Sequence, residues 1–223
     1  MTAIEAVVSD FGGVLTTPLV DAFAALQDED GLERGALGAA LRHAAERDGR
    51  HPLHELECGR ITERAFIERL VAQLREDLGR DVELHSFSAR YFAALRPNEP
   101  MIEFLRALRE RGYRLAMLTN NVREWEPRWR AMLPVDDLFE VVVDSAFVGL
   151  RKPDRAIYRL TCERLGVPLE RCLFVDDVEV NCAAATEVGM TAVRFRTNEQ
   201  AIAGMRAALD RERQLSEPSR SQR

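Results

Sequence analysis

Polar residues stand where several short apolar segments of the sequence end, or where a proline turn begins. These residues are Asp10, Thr119 with Asn120, Lys152 before Pro153, and Asp176 with Asp177. Lys152 is the only lysine among the 31 basic residues of the chain. Carboxylates, a hydroxyl, an amide and one compact ammonium are the groups that phosphoryl transfer requires, so the set predicts a phosphate site.

The nucleophile predicted for such a site is Asp10. A carboxylate that attacks phosphorus in line with the leaving group forms an aspartyl phosphate. Thr119 and Asn120 are expected to bind the phosphate together with backbone N–H groups of the helix start that follows. Lys152 is expected to act in catalysis and in phosphate binding, because an ammonium is a compact point charge that can bridge Asp10 and the phosphate.

A metal site is predicted among the same residues. Mg²⁺ takes oxygen ligands and keeps several waters, so Asp10, the backbone carbonyl of Gly12, and Asp176 and Asp177 are sufficient to hold it. Three neighbouring carboxylates would raise one another's pKa values unless a cation lay among them. We therefore predict Mg²⁺ as the cofactor, without deciding which of Asp176 and Asp177 contacts it directly.

The segments that precede these residues have the composition of buried strands. They alternate with helical patterns from Glu99 to Phe195, which predicts parallel βαβ units in an α/β fold with a Rossmann-like open sheet. Right-handed crossovers send the carboxyl end of every parallel strand to the same edge of the sheet. The polar residues are therefore expected to converge there.

Between the first two of these strands the pattern is helical only. The periodicity predicts helices over Leu32–Arg47, Thr62–Asp77 and Phe87–Leu95. We accordingly predict a core domain formed by residues 1–19 and 97–210, a helical cap formed by residues 20–96, and a disordered tail at 211–223. All four histidines lie in the predicted cap and are interpreted as surface or packing residues.

Composition excludes several classes of function. A formal charge of −6 argues against a broad nucleic-acid or anionic-membrane surface, so a small phosphorylated metabolite is the expected partner. The four cysteines lack metal-ligand spacing, which favours buried thiols in a reducing compartment. No secretory signal and no long apolar run is present, which predicts a cytoplasmic protein. The sequence leaves the oligomeric state open.

Four motifs in this order resemble those of the haloacid dehalogenase superfamily. They are Val7–Leu15, Leu118–Asn120, Gly149–Asp154 and Phe174–Asn181, and the resemblance extends over about 5–195. The branch that looks most similar contains sugar-phosphate phosphatases and the amino-terminal phosphatase-like domains of epoxide hydrolases and some acyl-CoA dehydrogenases. The resemblance implies an Mg²⁺-dependent phosphatase of a small metabolite such as a sugar phosphate, with a helical cap that closes over the site.

The sequence departs from the family's phosphatase pattern at Gly12, where a second aspartate usually serves as general acid and base. Such catalysis is worth about 10²–10⁴-fold, so its loss leaves three hypotheses open. The chain is a phosphatase that uses another proton carrier, a phosphate-binding regulatory domain without turnover, or a metal-free haloacid dehalogenase. The pair Asp176 and Asp177 favours a phosphatase over a dehalogenase, because dehalogenases that resemble this chain replace it with neutral residues.

Overall fold

Five parallel strands form one open sheet in the computed structural model of the chain, which describes residues 3–216 and the side chains of 3–210. The strands are β1 (Ala6–Ser9), β2 (Arg114–Thr119), β3 (Val141–Asp144), β4 (Cys172–Asp176) and β5 (Thr191–Arg194). Their order across the sheet is β3-β2-β1-β4-β5, and every pair is parallel. The predicted α/β class with a parallel sheet is confirmed.

Both faces of the sheet are covered by helices, which explains why β1 is buried along its whole length. The helices that follow β1 outside the insertion are α6 (Glu99–Glu110), α7 (Glu126–Met132), α8 (Val135–Leu138), α9 (Ser145–Val148), α10 (Arg155–Leu165), α11 (Glu179–Glu187) and α12 (Asn198–Ser216). Val7 of β1 packs in the apolar cluster on one face, whereas Ala6 and Val8 pack in the cluster on the other. This alternation fixes which side chains reach each layer.

Five helices occupy the segment between β1 and α6. They are α1 (Leu19–Glu29), α2 (Ala36–Asp48), α3 (Pro52–Glu57), α4 (Glu63–Leu78) and α5 (Phe87–Ala94). Three of them correspond to the predicted helices, and α1 and α3 were not predicted. We call residues 20–96 the helical insertion.

The insertion leaves and rejoins the rest of the chain at one place. Thr16 forms an antiparallel bridge with Pro97, and the Thr17 N–H donates to the Arg96 carbonyl at 2.8 Å. A single apolar cluster continues from the sheet face into the insertion, where it includes Phe66 and Leu70. The insertion is therefore held directly above the end of β1.

The carboxyl-terminal helix differs from the expected tail. α12 continues to Ser216, so disorder from residue 211 onward is wrong for 211–216, and residues 217–223 lie outside the described range. Arg, Glu, Gln and Leu are good helix formers and allow an already formed helix to propagate. Within residues 3–216, no helix is both long and apolar enough to cross a bilayer.

Candidate active site

The predicted residues meet at the carboxyl edge of the sheet. Asp10 follows β1, Thr119 ends β2, and Asp176 ends β4 on the other side of β1. Chain connections run in opposite directions on the two sides of β1, so this edge is the crevice in which open α/β sheets bind ligands. A cavity of about 560 Å³ lies there, and its lining includes Asp10, Gly12, Thr119, Asn120, Lys152 and Asp177.

Lys152 lies between two of the carboxylates. Its Nζ is 2.7 Å from Asp10 Oδ1 and 2.7 Å from Asp176 Oδ2, and its side chain is 1% exposed. Burial alone would lower the pKa of Lys152, but the charges of Asp10 and Asp176 outweigh it and raise that pKa. The lysine is therefore a fixed positive charge at the floor of the cavity.

Asp10 is held in one orientation. The Phe11 N–H donates to Asp10 Oδ1 at 2.7 Å, and Lys152 binds the same oxygen atom. Burial raises the pKa of Asp10 to about 8, Lys152 opposes this rise, and Asp176 adds to it. Both contacts use Oδ1, so they leave Oδ2 free to face the cavity that Asp10 lines.

Asp176 is fully buried beneath this floor. Its carboxylate accepts hydrogen bonds from the Val178 N–H at 2.8 Å and from Asn181 Nδ2 at 3.1 Å, in addition to Lys152. Tyr158 donates its hydroxyl to the Asn181 carbonyl at 2.9 Å and so supports the start of α11. A carboxylate fixed by several donors holds its charge and its position.

Asn120 is engaged with the main chain of Lys152. Its Oδ1 accepts from the Lys152 N–H at 2.8 Å, and its Nδ2 donates to the Lys152 carbonyl at 3.0 Å. This pair of bonds joins the end of β2 to the loop before α10. It gives Asn120 a positioning role for the lysine beside its predicted role in phosphate binding.

Two glycines set the shape of the loop after Asp10. Gly13 has φ +76°, and a Cβ there would collide with the carboxylate of Asp177, so only glycine allows this close approach. A Cβ on Gly12 would lie 2.7 Å from Leu19 Cδ1. Leu19 of α1 thus occupies the space into which a side chain at position 12 would extend.

The site has the composition of a divalent-cation site. Asp10, Asp176 and Asp177 each offer an oxygen, and these oxygens lie within 4.8 Å of one another. Burial, followed by the charge of Asp176, raises the pKa of Asp177. Three carboxylates around a single lysine leave an excess of negative charge that a bound Mg²⁺ would offset, so the residues fit the ion.

Residues of the insertion that the sequence did not indicate also line this cavity. His54 and Glu57 of α3 and Tyr91 of α5 face the same space as Asp10. Glu57 Oε2 lies 2.6 Å from Arg151 Nε, which ties α3 to the loop that carries Lys152. His54 was interpreted as a surface or packing residue. It is exposed, and it also lines the site cavity because the insertion folds back over the sheet edge.

The four cysteines and the two tryptophans are buried in the hydrophobic core. All four cysteines are buried and free. Trp129 is fully buried and its ring lies 5.8 Å from that of Phe11, whereas Trp125 lines the site cavity.

Solved structures with the same architecture define the class of fold. A haloacid dehalogenase family enzyme of Bacteroides thetaiotaomicron, in complex with magnesium and inorganic phosphate, has a TM-score of 0.63 and 23% identity over 87% of this chain and 95% of that chain. A dehalogenase has a TM-score of 0.65 and 24% identity over 87% of this chain and 85% of that one. At these identities the likeness establishes the fold: an α/β parallel sheet surrounded by helices.

The family follows from the sequence. The pattern of the haloacid dehalogenase-like hydrolases matches residues 4–189, and the chain belongs to this family of hydrolases. A bifunctional epoxide hydrolase of Sus scrofa is 26% identical over 90% of this chain, which spans only 38% of that protein. A sesquiterpene phosphatase of Aspergillus oryzae is 28% identical over 87% of this chain and 91% of its own length. A glyceraldehyde 3-phosphate phosphatase of Pyrococcus abyssi is 37% identical over 47% of this chain and 44% of its own.

Proposed function

We propose that this protein is an Mg²⁺-dependent phosphomonoester hydrolase that acts on a small phosphorylated metabolite through an aspartyl-phosphate intermediate. The observation that carries the proposal is the ion cluster at the floor of the cavity, where Lys152 Nζ lies 2.7 Å from both Asp10 and Asp176. The cluster joins a buried carboxylate, a fixed ammonium and a cation site at one sheet edge. The phosphatases among the relatives support the same reaction class.

The groups that would hold the metal are Asp10, Asp176, Asp177 and the Gly12 carbonyl. When bound, Mg²⁺ supplies positive charge that offsets the negative charge of the phosphate oxygens. A nearby cation also lowers the pKa of Asp10, which burial otherwise raises to about 8. Asp10 is then ionised at neutral pH and can act as a nucleophile.

In the first step, Asp10 Oδ2 attacks phosphorus and forms an acyl–phosphate bond. The bond from phosphorus to the ester oxygen breaks, and the alcohol departs after it has taken up a proton. Lys152 keeps Asp10 Oδ1 in place, and Thr119 at the end of β2 donates its hydroxyl to a phosphate oxygen. In the second step, water attacks the acyl phosphate and gives up a proton, which replaces the proton that left with the alcohol, so that inorganic phosphate is released and the Asp10 carboxylate is regenerated.

The proton for the departing alcohol needs a donor, and Gly12 offers none. His54 and Glu57 are the titratable side chains of α3 that line the cavity. Burial raises the pKa of Glu57, with Arg151 and Lys152 opposing, and a raised pKa favours a carboxyl group that can give a proton to the departing alcohol. The helical insertion would then act as a cap that excludes water and brings these groups to the substrate.

The test is phosphate release from p-nitrophenyl phosphate and a panel of sugar phosphates, with Mg²⁺ or with EDTA. We expect turnover in Mg²⁺ only, reduced at least about a thousandfold in Asp10→Asn because the nucleophile is lost. Asp137→Asn removes an exposed carboxylate of α8 and serves as the matched control, with activity retained.

Two results would contradict this proposal. Full activity in Asp10→Asn would exclude Asp10 as the nucleophile. No phosphate release by wild type in Mg²⁺ would exclude the phosphatase for these substrates, and assays with 2-haloacids and of phosphate binding would then separate a dehalogenase from a regulatory domain.

A further inference from the structure

A second cavity lies inside the helical insertion. Its volume is about 520 Å³, and residues of α1 to α5 line it. Its apolar walls are formed by Leu37 and Leu41 of α2, Leu56 of α3, and Phe66 and Leu70 of α4. The cavity is partly open to solvent, since the exposed Val20 and Arg34 also line it, and a concave site with walls of this kind is typical of one that binds an apolar ligand.

This apolar cavity borders the candidate active site. Four residues line both the 520 Å³ cavity and the 560 Å³ site cavity, namely Val20, Phe23, Leu53 and Trp125. Phe23 packs on Tyr91 with ring centroids 5.1 Å apart, and Tyr91 lines the site cavity as well. These side chains form the boundary that a molecule with its phosphate at Asp10 has to cross to reach the insertion.

Two polar residues that line the apolar cavity, Gln27 and Arg34, already have partners in the protein, and a third, Asp21, is exposed to solvent. Gln27 Oε1 accepts from the Gly35 N–H at 2.9 Å and from the Leu37 N–H at 3.2 Å, and its Nε2 donates to the Phe23 carbonyl at 3.1 Å. Arg34 is exposed and paired with Asp28 at 2.9 Å. A sugar in this space would leave its hydroxyls unpaired, which costs free energy, whereas a hydrocarbon would not.

One buried donor at the border is left for a ligand. Trp125 Nε1 has no hydrogen-bond partner within residues 3–210, although the residue is 6% exposed. An oxygen of a bound molecule would satisfy this indole N–H. Trp125 lines both cavities, so such an oxygen would belong to the part of the molecule between the phosphate and the chain.

The entrance has the same apolar character. Among the large hydrophobic residues that the described part of the chain exposes, Val20 (70%), Val178 (44%) and Val180 (58%) all line the site cavity. Exposed apolar side chains grouped around a cavity are typical of a binding site for an apolar ligand.

We propose that the alcohol part of the substrate is an extended hydrocarbon group, and that the apolar cavity of the insertion binds it while its phosphate lies at Asp10. This inference rests on the proposed phosphatase function and narrows its substrate from sugar phosphates to phosphomonoesters of long-chain or terpenoid-like alcohols. Each methylene that enters the cavity leaves water, which strengthens binding in the transition state and favours longer chains.

The first experiment measures kcat/KM for monoalkyl phosphates from butyl to dodecyl, each below its micelle-forming concentration, beside glucose 6-phosphate. We expect kcat/KM to rise by about fourfold for each methylene that enters the cavity, which gives about 4,000-fold from butyl to decyl if all six enter it and about a hundredfold if only three or four do. A series without dependence on chain length, or a sugar phosphate hydrolysed faster than decyl phosphate, would overturn the proposal.

A variant that fills the cavity gives the second test. Gly38 lines the cavity on α2, and a Cβ there meets only Arg42 Nη1 at 3.6 Å, so Gly38→Leu has room and also improves helix propensity. We expect the ratio of kcat/KM for decyl over butyl phosphate to fall at least about tenfold. Glu46→Leu adds the same side chain to the exposed surface of α2 and should keep the wild-type ratio. An unchanged ratio in folded Gly38→Leu would contradict the proposal.

Binding of alkylphosphonates separates failure of this inference from failure of the phosphatase function, because their carbon–phosphorus bond is not hydrolysed. Calorimetric titration of the wild-type protein should show decylphosphonate binding at least about a hundredfold more tightly than butylphosphonate, with a negative heat-capacity change. If no phosphomonoester is hydrolysed but this difference is found, the phosphatase function fails and the apolar subsite stands. If alkyl phosphates are hydrolysed without any dependence of binding on chain length, only the subsite fails.

Discussion

At position 12 the neighbouring α1 determines what the site can contain. The family's phosphatase pattern has an aspartate at this position. In this chain, Leu19 Cδ1 lies 2.7 Å from the place that the Cβ of such an aspartate would occupy. The chain has therefore not merely lost a carboxyl group, because another side chain has filled the space. Restoring the carboxyl requires Leu19 to move or to become smaller.

We therefore expect Gly12→Ala to destabilise the protein by about 1 kcal/mol or less, since the added methyl group lies 2.7 Å from Leu19 Cδ1 and the flexible, partly exposed Leu19 side chain has to turn away from it. Leu19→Ala should relieve this strain, so the double variant should be more stable than the sum of the single changes predicts. Urea unfolding of the four proteins in a double-mutant cycle measures the coupling. Additive effects would show that Leu19 does not limit position 12.

At the scale of elements, α3 brings titratable groups to the site. Burial and the charges of Arg151 and His51 together lower the pKa of His54 from 6.5 to about 4, while Glu55 opposes them. The folded state therefore keeps His54 neutral in mildly acidic solution, where the unfolded chain binds a proton. Stability is then lost as the pH falls from about 6.5 towards 4.

The prediction is that His54→Gln loses less free energy of unfolding than wild type between pH 7 and pH 5, because glutamine binds no proton in either state. Urea unfolding at the two pH values measures the difference. His85→Gln changes an exposed histidine of the same insertion and should follow wild type. The same acid loss in His54→Gln as in wild type would exclude this linkage.

The sequence predicted the sheet and the core of the site for a physical reason. Buried parallel strands are short apolar runs, and parallel topology sends their ends to one edge, so Asp10, Thr119 and Asp176 had to converge. The insertion was less predictable, since α3 has only 6 residues, too few for a helical period to show in the sequence. The approach of His54 depends on tertiary packing that local periodicity does not encode.

At the scale of the whole molecule, the two cavities connect the chemistry of the sheet edge with recognition in the insertion. β1 lies in the centre of the sheet, and the chain leaves and re-enters the insertion at Thr16 and Pro97, directly after the loop that follows Asp10. Any shift of the insertion therefore changes the position of Leu19 relative to Gly12 and the distance between Arg151 and Glu57. The division into a core and a cap remains a prediction that this arrangement supports.

The predicted metal site would also couple to the stability of the whole fold. Asp10 follows β1 and Asp177 follows β4, so their oxygens approach within 4.8 Å only when the sheet is formed. An ion that binds the folded chain alone raises the free energy of unfolding by about 1.4 kcal/mol for each tenfold increase in free Mg²⁺ above its dissociation constant. We expect this slope in urea unfolding of wild type and of Asp137→Asn, and a much shallower one in Asp177→Asn, whose amide contributes no charge. Stability of wild type that does not change with Mg²⁺ would contradict the metal site, and an undiminished slope in Asp177→Asn would exclude Asp177 as a ligand.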